Sequence, residues 1–176
     1  MLANNLTNIK EDNLLKKITI LLGLIAIMLA FVSPPVMAQT KPIQLSLFSP
    51  IQIFPEDTAI SGIRLSLLYG KNTSITGLDW GLVNHTTSGQ SLGVQFGLIG
   101  LSDADFKGLQ DNFINVTNGN FEGLQWGFVN YANYAHGLQI GFVNYANSMK
   151  GLQIGLANFI KTGGFFPVFP IVNWSF

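Results

Sequence analysis

Along most of the chain apolar and polar side chains alternate residue by residue, and the alternation restarts at a glycine every 14 to 16 residues. One unit reads Gly137-Leu138-Gln139-Ile140-Gly141-Phe142-Val143-Asn144. Leu138, Ile140 and Phe142 fall on one face, and Gln139, Gly141 and Val143 on the other. The same division sets Leu124, Trp126 and Phe128 against Gln125, Gly127 and Val129, and Leu152, Ile154 and Leu156 against Gln153, Gly155 and Ala157. A period of two marks a β-strand, whose successive side chains point to opposite faces. A helix would need apolar residues three and four apart, and would lose roughly 1 kcal/mol per interior glycine relative to alanine. Turn-forming tracts at residues 85–90, 118–120, 147–150 and 161–164 separate the units. Each unit is predicted to be one strand followed by one tight connection.

The glycines that open units are Gly62, Gly77, Gly93, Gly108, Gly123, Gly137 and Gly151. Such fixed-period self-similarity predicts an array of equivalent elements. The third position stays polar, as Arg64, Asp79, Gln95, Gln110, Gln125, Gln139 and Gln153. The eighth is asparagine at Asn84, Asn115, Asn130, Asn144 and Asn158. The unit from Gly108 departs most. It has Asp111 and Asn112 where an apolar residue and a glycine are expected, and Gly100 replaces the asparagine of the preceding unit. Prolines confine residues 42–55 and 165–170 to the two ends of the sheet.

The alternation fits two all-β architectures. The first, and the one the sequence favours, is a repeat-built antiparallel β-barrel of about 8–10 strands in an outer membrane. A spanning strand needs about 9–11 residues, and residues 137–146 supply ten before the turn at 147–150. The apolar face would meet lipid, and the Gln/Gly face would line a narrow interior. Trp174 and Phe176 would form the aromatic end of a final strand read during membrane insertion. The second architecture is a short-coil β-solenoid in which the eighth-position asparagines stack as a ladder. The near-identity of successive units favours the solenoid. A soluble solenoid needs a polar end cap, however, and the apolar C-terminal residues argue for a membrane or a homo-oligomer.

Composition narrows the setting. Lys10, Lys16 and Lys17 precede an uncharged, almost wholly apolar run over residues 18–32, then Pro34-Pro35 and Val36-Met37-Ala38. This pattern predicts a secretory signal peptide over residues 1–38, cleaved after Ala38, ahead of a single β-repeat domain over residues 39–176. The run is short of the roughly 20 apolar residues of a spanning helix. Residues 39–176 carry six Lys/Arg and seven Asp/Glu, a net charge of −1. No basic patch exists to release counterions from phosphates, so nucleic acid is not an expected partner. The chain has no cysteine, which excludes disulfides and thiolate chemistry.

The tandem Gly-Leu-Gln-x-Gly-x-x-Asn units resemble a bacterial family of exported surface-repeat proteins. The resemblance extends to residues 48–56, a proline-rich first strand, to residues 62–70, and to the aromatic tail. It implies an envelope or surface location, and it brings no reaction, cofactor or catalytic residue.

Candidate chemistry is sparse. His85 and His136 lack the spacing of a zinc site and read as strand-end residues. Asp103 and Asp105 supply too few oxygens for calcium, which takes six to eight. Ser66 and Ser88 have no nucleophile context. Trp80, Trp126 and Trp174, with the tyrosines, read as an interfacial aromatic belt or as packing. The sequence therefore predicts an exported structural or surface protein with no catalytic residue, metal or cofactor. A lipid bilayer is its expected partner. The alternative is a soluble or surface-attached solenoid that presents Gln/Asn rows to a glycan or a protein.

Overall fold

The structure is a computed structural model that describes residues 40–176. The predicted signal peptide and its cleavage site lie outside the described residues. Nine strands form one sheet: β1 Thr40–Phe48, β2 Ile51–Gln52, β3 Ala59–Asn72, β4 Ile75–Thr86, β5 Ser91–Ser102, β6 Phe106–Trp126, β7 Val129–Ile140, β8 Val143–Thr162 and β9 Val168–Ser175. Their order is β2-β1-β3-β4-β5-β6-β7-β8-β9. Strands β1 and β3 to β8 pair in parallel with their neighbours. Only the end pairs, β1 with β2 and β8 with β9, are antiparallel.

The register shows how the chain is wound. Gly62 lies beside Gly77, Gly77 beside Gly93 and Gly93 beside Gly108. Gly123 lies beside Gly137, and Gly137 beside Gly151. Each residue thus neighbours its equivalent one repeat later, so every repeat is one coil of a β-solenoid. This overturns the antiparallel barrel. The sheet ends in two open edges, β2 and β9, and does not close. The physical reason lies in the repeat itself: parallel, in-register stacking sets like residue on like residue, which antiparallel neighbours cannot do along their length. The expectation of one strand per unit also changes. β6 and β8 run for 21 and 20 residues, longer than a repeat, and carry the chain from one coil into the next.

Each coil turns at two corners. The first falls at the fifth and sixth positions, as at Gly127-Phe128 and Gly141-Phe142. The second falls at the tracts between units, such as residues 87–90 and 103–105. Close stacking at the glycines demands the missing side chain. Gly137 has φ +135°, and a Cβ there would lie 2.1 Å from the Gly123 carbonyl oxygen. At Gly141 a Cβ would lie 2.1 Å from the Gly127 oxygen and 2.6 Å from Nδ2 of Asn130.

The interior is polar along the first corner and apolar toward the second. The buried apolar cluster is Phe106, Phe121, Ala132, Ala135, Ala146, Met149 and Ile160. Beside it run the third-position and eighth-position rows, fully enclosed.

Candidate binding surface

The third-position row is one continuous hydrogen-bonded chain. Nε2 of Gln110 donates to Oε1 of Gln95 at 3.1 Å, Gln125 to Gln110 at 2.9 Å, Gln139 to Gln125 at 2.6 Å, and Gln153 to Gln139 at 2.7 Å. Gln95 in turn donates to Asp79 at 2.9 Å. Asp79 is held by Arg64 through two bonds of 2.7 and 2.8 Å, and both residues are buried. The chain closes on an ion pair whose charges are mutually compensated, which is the condition for tolerating buried charge. The eighth-position row runs the other way: Nδ2 of Asn115 donates to Asn130, Asn130 to Asn144, and Asn144 to Asn158, each at 2.8 Å.

These rows include every repeat-defining residue of the sequence reading. Gly77, Gly93, Gly108, Gly123, Gly137 and Gly151 stack as one column, Gln125, Gln139 and Gln153 as a second, and Asn130, Asn144 and Asn158 as a third. The asparagine ladder has the form expected for a solenoid. One expectation is corrected: the Gln and Asn rows are 0% exposed, so they cannot be presented to a glycan or a protein.

The irregular unit from Gly108 has a structural explanation. Asn112 is buried, and its Nδ2 donates to Oδ1 of Asn115 at 2.7 Å and to Oε1 of Gln95 at 3.2 Å. It fills the space that an eighth-position asparagine would take in the coil below, where Gly100 stands. The two departures from the motif compensate each other.

With the amides inside, the large apolar side chains face outward. Leu82, Leu98, Phe113, Phe128, Phe142 and Leu156, the sixth-position row, are 44% to 59% exposed. Their rings stack along the first corner, Phe113 on Phe128 at 5.0 Å and Phe128 on Phe142 at 4.7 Å. Trp80 and Trp126, in the fourth-position row, are 61% and 56% exposed. A monomeric soluble protein rarely leaves a continuous apolar surface of this kind uncovered. Asp111, between Phe96 and Trp126, is the only charged side chain in the fourth-, sixth- and seventh-position rows. At the N-terminal coils β2 folds back over β1 and forms one wall of an open groove of about 920 Å³. Leu45, Leu47, Ile51, Ile53, Leu67 and Trp80 are among its lining residues.

The second corner is hydrophilic. Asp103 accepts from Asn118, and Asp105 accepts from the backbone and side chain of Asn120. Lys107 pairs with Glu122 at 2.8 Å across one coil, and His136 and Lys150 continue that row. His85 proves to have a carboxylate companion that sequence spacing concealed. Its Nε2 lies 2.8 Å from Asp103, and its Nδ1 lies 2.7 Å from the Tyr69 hydroxyl. The hydrogen bond from His85 holds Asp103 below the usual carboxylate range, and burial pushes the Tyr69 phenol up. Among the described residues no three acidic or histidine side chains gather where they could hold a metal ion.

Trp174 and Phe176 sit at the C-terminal end. Trp174 stacks on Phe165 at 4.8 Å, while Phe176 follows β9 and is 89% exposed. β9 covers the edge of β8, so the role of these residues in the last strand of a barrel falls with the barrel. Comparison with protein families, curated proteins and solved structures returned no match to this chain.

Proposed function

We propose that this chain is an exported, surface-attached β-solenoid that acts by binding, with no catalytic step, and that the first corner with its adjoining groove is the binding face. The observation that carries the reading is the inversion of the coil. Amide rows that would ordinarily face water are sealed inside, and the largest apolar side chains stand exposed in register. Side chains pointing outward contribute little to the core, so their apolar character over six coils calls for a different use. The resemblance to exported surface-repeat proteins supports an envelope location. The glycan alternative draws no support from the corner, which offers aromatic and aliphatic groups and few hydrogen-bonding ones.

The test compares retention of the full chain on envelopes of the producing cell with that of two variants. Phe128→Ser/Phe142→Ser alters the corner, and Asn133→Ser/Lys161→Ser alters the hydrophilic side. The corner variant is expected to be released and the other retained. Equal retention of all three chains would refute the assignment of the binding face. Protease treatment of intact cells addresses the location: digestion of the chain is expected, and protection until the cells are broken would count against surface exposure.

A further inference from the structure

We infer that the occupant of the first corner is the acyl region of a single membrane leaflet, into which the solenoid dips edgewise with its axis in the membrane plane. This rests on the reading of that corner as the binding face and names its partner.

Two observations point to lipid, and a third sets the conditions for insertion. The first is depth. On one side of the corner the outward residues are apolar from the second to the sixth position, as in Leu138, Ile140 and Phe142. Four residue steps in a strand span roughly 13 Å, and half of a hydrocarbon core is about 15 Å. The charged row of Lys107, Glu122, His136 and Lys150 begins just above that zone. On the other side the ninth-position tyrosines mark the same level. Asn147 donates to the Tyr131 hydroxyl at 3.3 Å, and the Tyr145 hydroxyl donates to Asn147 at 3.2 Å. Both phenols turn their polar ends toward the hydrophilic corner, as interfacial tyrosines do.

The second observation is shape. The apolar surface is a convex ridge where Phe113, Phe128 and Phe142 stack, and a concave groove between Ile51, Ile53 and Trp80. Fluid acyl chains conform to both, whereas a rigid protein surface would need the inverse relief over the whole length. The groove volume of about 920 Å³ lies in the range of sites that enclose small apolar ligands. The third is charge. The net charge of residues 39–176 is −1, so attraction to anionic headgroups is not the driving force. Insertion is expected into uncharged phosphatidylcholine and is expected to be insensitive to salt. Asp111 is the one group that opposes it, because a carboxylate is costly to carry into the hydrocarbon.

All three tryptophans of the chain lie within residues 40–176, so their emission reports on the solenoid alone. The full chain is mixed with vesicles of phosphatidylcholine and with vesicles of its acyl-brominated form. A blue shift and quenching by bromine are expected. Both should fall in Trp80→Phe/Trp126→Phe to the share of Trp174, which pairs with Leu152 at the shallow edge of that zone, and should be reduced at least several-fold in Phe128→Ser/Phe142→Ser, whose circular dichroism should keep the strand signal. Asp111→Leu is expected to raise partitioning roughly tenfold. Unquenched emission of the wild-type chain, or quenching indifferent to the phenylalanine substitutions, would overturn the proposal. Sedimentation without lipid separates this from the wider reading. If the chain is a dimer that the same substitutions dissolve and no quenching occurs, the lipid proposal fails and the binding face stands. If neither quenching nor assembly responds, both fail.

Discussion

Exchanging the two irregular residues of the repeat should restore what each single change destroys. In regular coils an eighth-position asparagine sits beneath the fifth-position glycine of the next coil: a Cβ on Gly127 would lie 2.6 Å from Nδ2 of Asn115, and one on Gly155 would lie 2.5 Å from Nδ2 of Asn144. The two sites therefore share one space. At Gly100 and Asn112 the tenancy is reversed. Asn112→Gly removes the only donor seen at Oδ1 of Asn115. The buried orphan costs about 1–3 kcal/mol and the added glycine about 0.5–1, a loss of roughly 2–4 kcal/mol. Gly100→Asn places a Cβ 2.1 Å from Oε1 of Gln95 and 2.5 Å from Nδ2 of Asn112, an overpacking that costs about 1–3 kcal/mol. Together the substitutions rebuild the regular pattern, with an amide rising from position 100 under a glycine at 112, and the double variant is expected within about 1 kcal/mol of the parent. The coupling would be roughly 2 kcal/mol or more in favour of the pair. Urea unfolding followed by circular dichroism, with unfolding slopes checked for equality, measures it. A double variant at the additive sum, or below the weaker single, would refute the shared-space argument.

The glutamine chain makes a graded prediction: Gln139→Met strips a donor from Gln125 and an acceptor from Gln153 and should cost about 2–4 kcal/mol, whereas Gln153→Met strips only one partner in the row and should cost about half as much. Equal unfolding midpoints for the two variants would show that packing, not hydrogen bonding, sets the stability of the row. Arg64→Met leaves Asp79 buried without its counter-charge and should lose about 3–5 kcal/mol, much of which Arg64→Met/Asp79→Leu should recover; thermal melts of both variants check this. Gly137→Ala must move the Gly123 carbonyl and force an unfavourable φ, so it should cost more than about 3 kcal/mol and lower the yield of folded chain on refolding. Asp103, Glu56 and Glu122 are all held below their usual values, by His85, Lys71 and Lys107 first. Their folded forms bind protons less readily than the unfolded chain, so the stability they add is complete above the ordinary carboxylate range and is lost as pH falls through their depressed values. Asp103→Asn should flatten that acid limb in urea titrations taken between neutral pH and pH 3.

The strand character, the repeat spacing and the column identities were legible in the sequence because each follows from local alternation and period, but the strand ends were not: the corner at Gly141-Phe142 falls inside the predicted strand 137–146, and the predicted turns at 118–120 and 147–150 lie within β6 and β8. The direction of pairing was not legible either. Residues 137–144 alternate in the same way whether the neighbouring strand runs parallel or antiparallel, and alternation alone does not say whether a solenoid turns Gln139 inward or outward. What separates them is the likeness of one unit to the next. Gln125, Gln139 and Gln153 bond amide to amide only when their strands run the same way in register. That likeness favours the solenoid, whereas strand length and the aromatic terminus favour the barrel. The contact between His85 and Asp103 was hidden for a related reason. Eighteen residues separate them, one coil plus the drift of a corner, so no local motif exposes the pair. Asn112 departs from the motif, and the Gly100 that makes room for it lies in the coil below, outside any local window.

The interior rows also constrain what the exterior is free to be. Asp79 can only accept, so Gln95 must donate to it, and Gln110, Gln125, Gln139 and Gln153 must then donate in the same sense. A single buried carboxylate thereby orients the whole amide column. Each coil is held to the next by side-chain amides, by the backbone ladder and by the stacked glycines, and little of that hold depends on the outward Leu, Ile, Phe and Trp. In water those residues gain only the partial burial that stacking on their own equivalents provides. In a leaflet their remaining area leaves water as well, at roughly 25 cal/mol per Å², while the amide rows are unaffected because they are already closed. A structure that enters hydrocarbon must pair its polar groups internally, and the amide-to-amide bonds of the two columns meet most of that need. The glutamine and asparagine columns are the condition that lets the first corner be apolar, and Asp111 is the one charged side chain in its fourth-, sixth- and seventh-position rows.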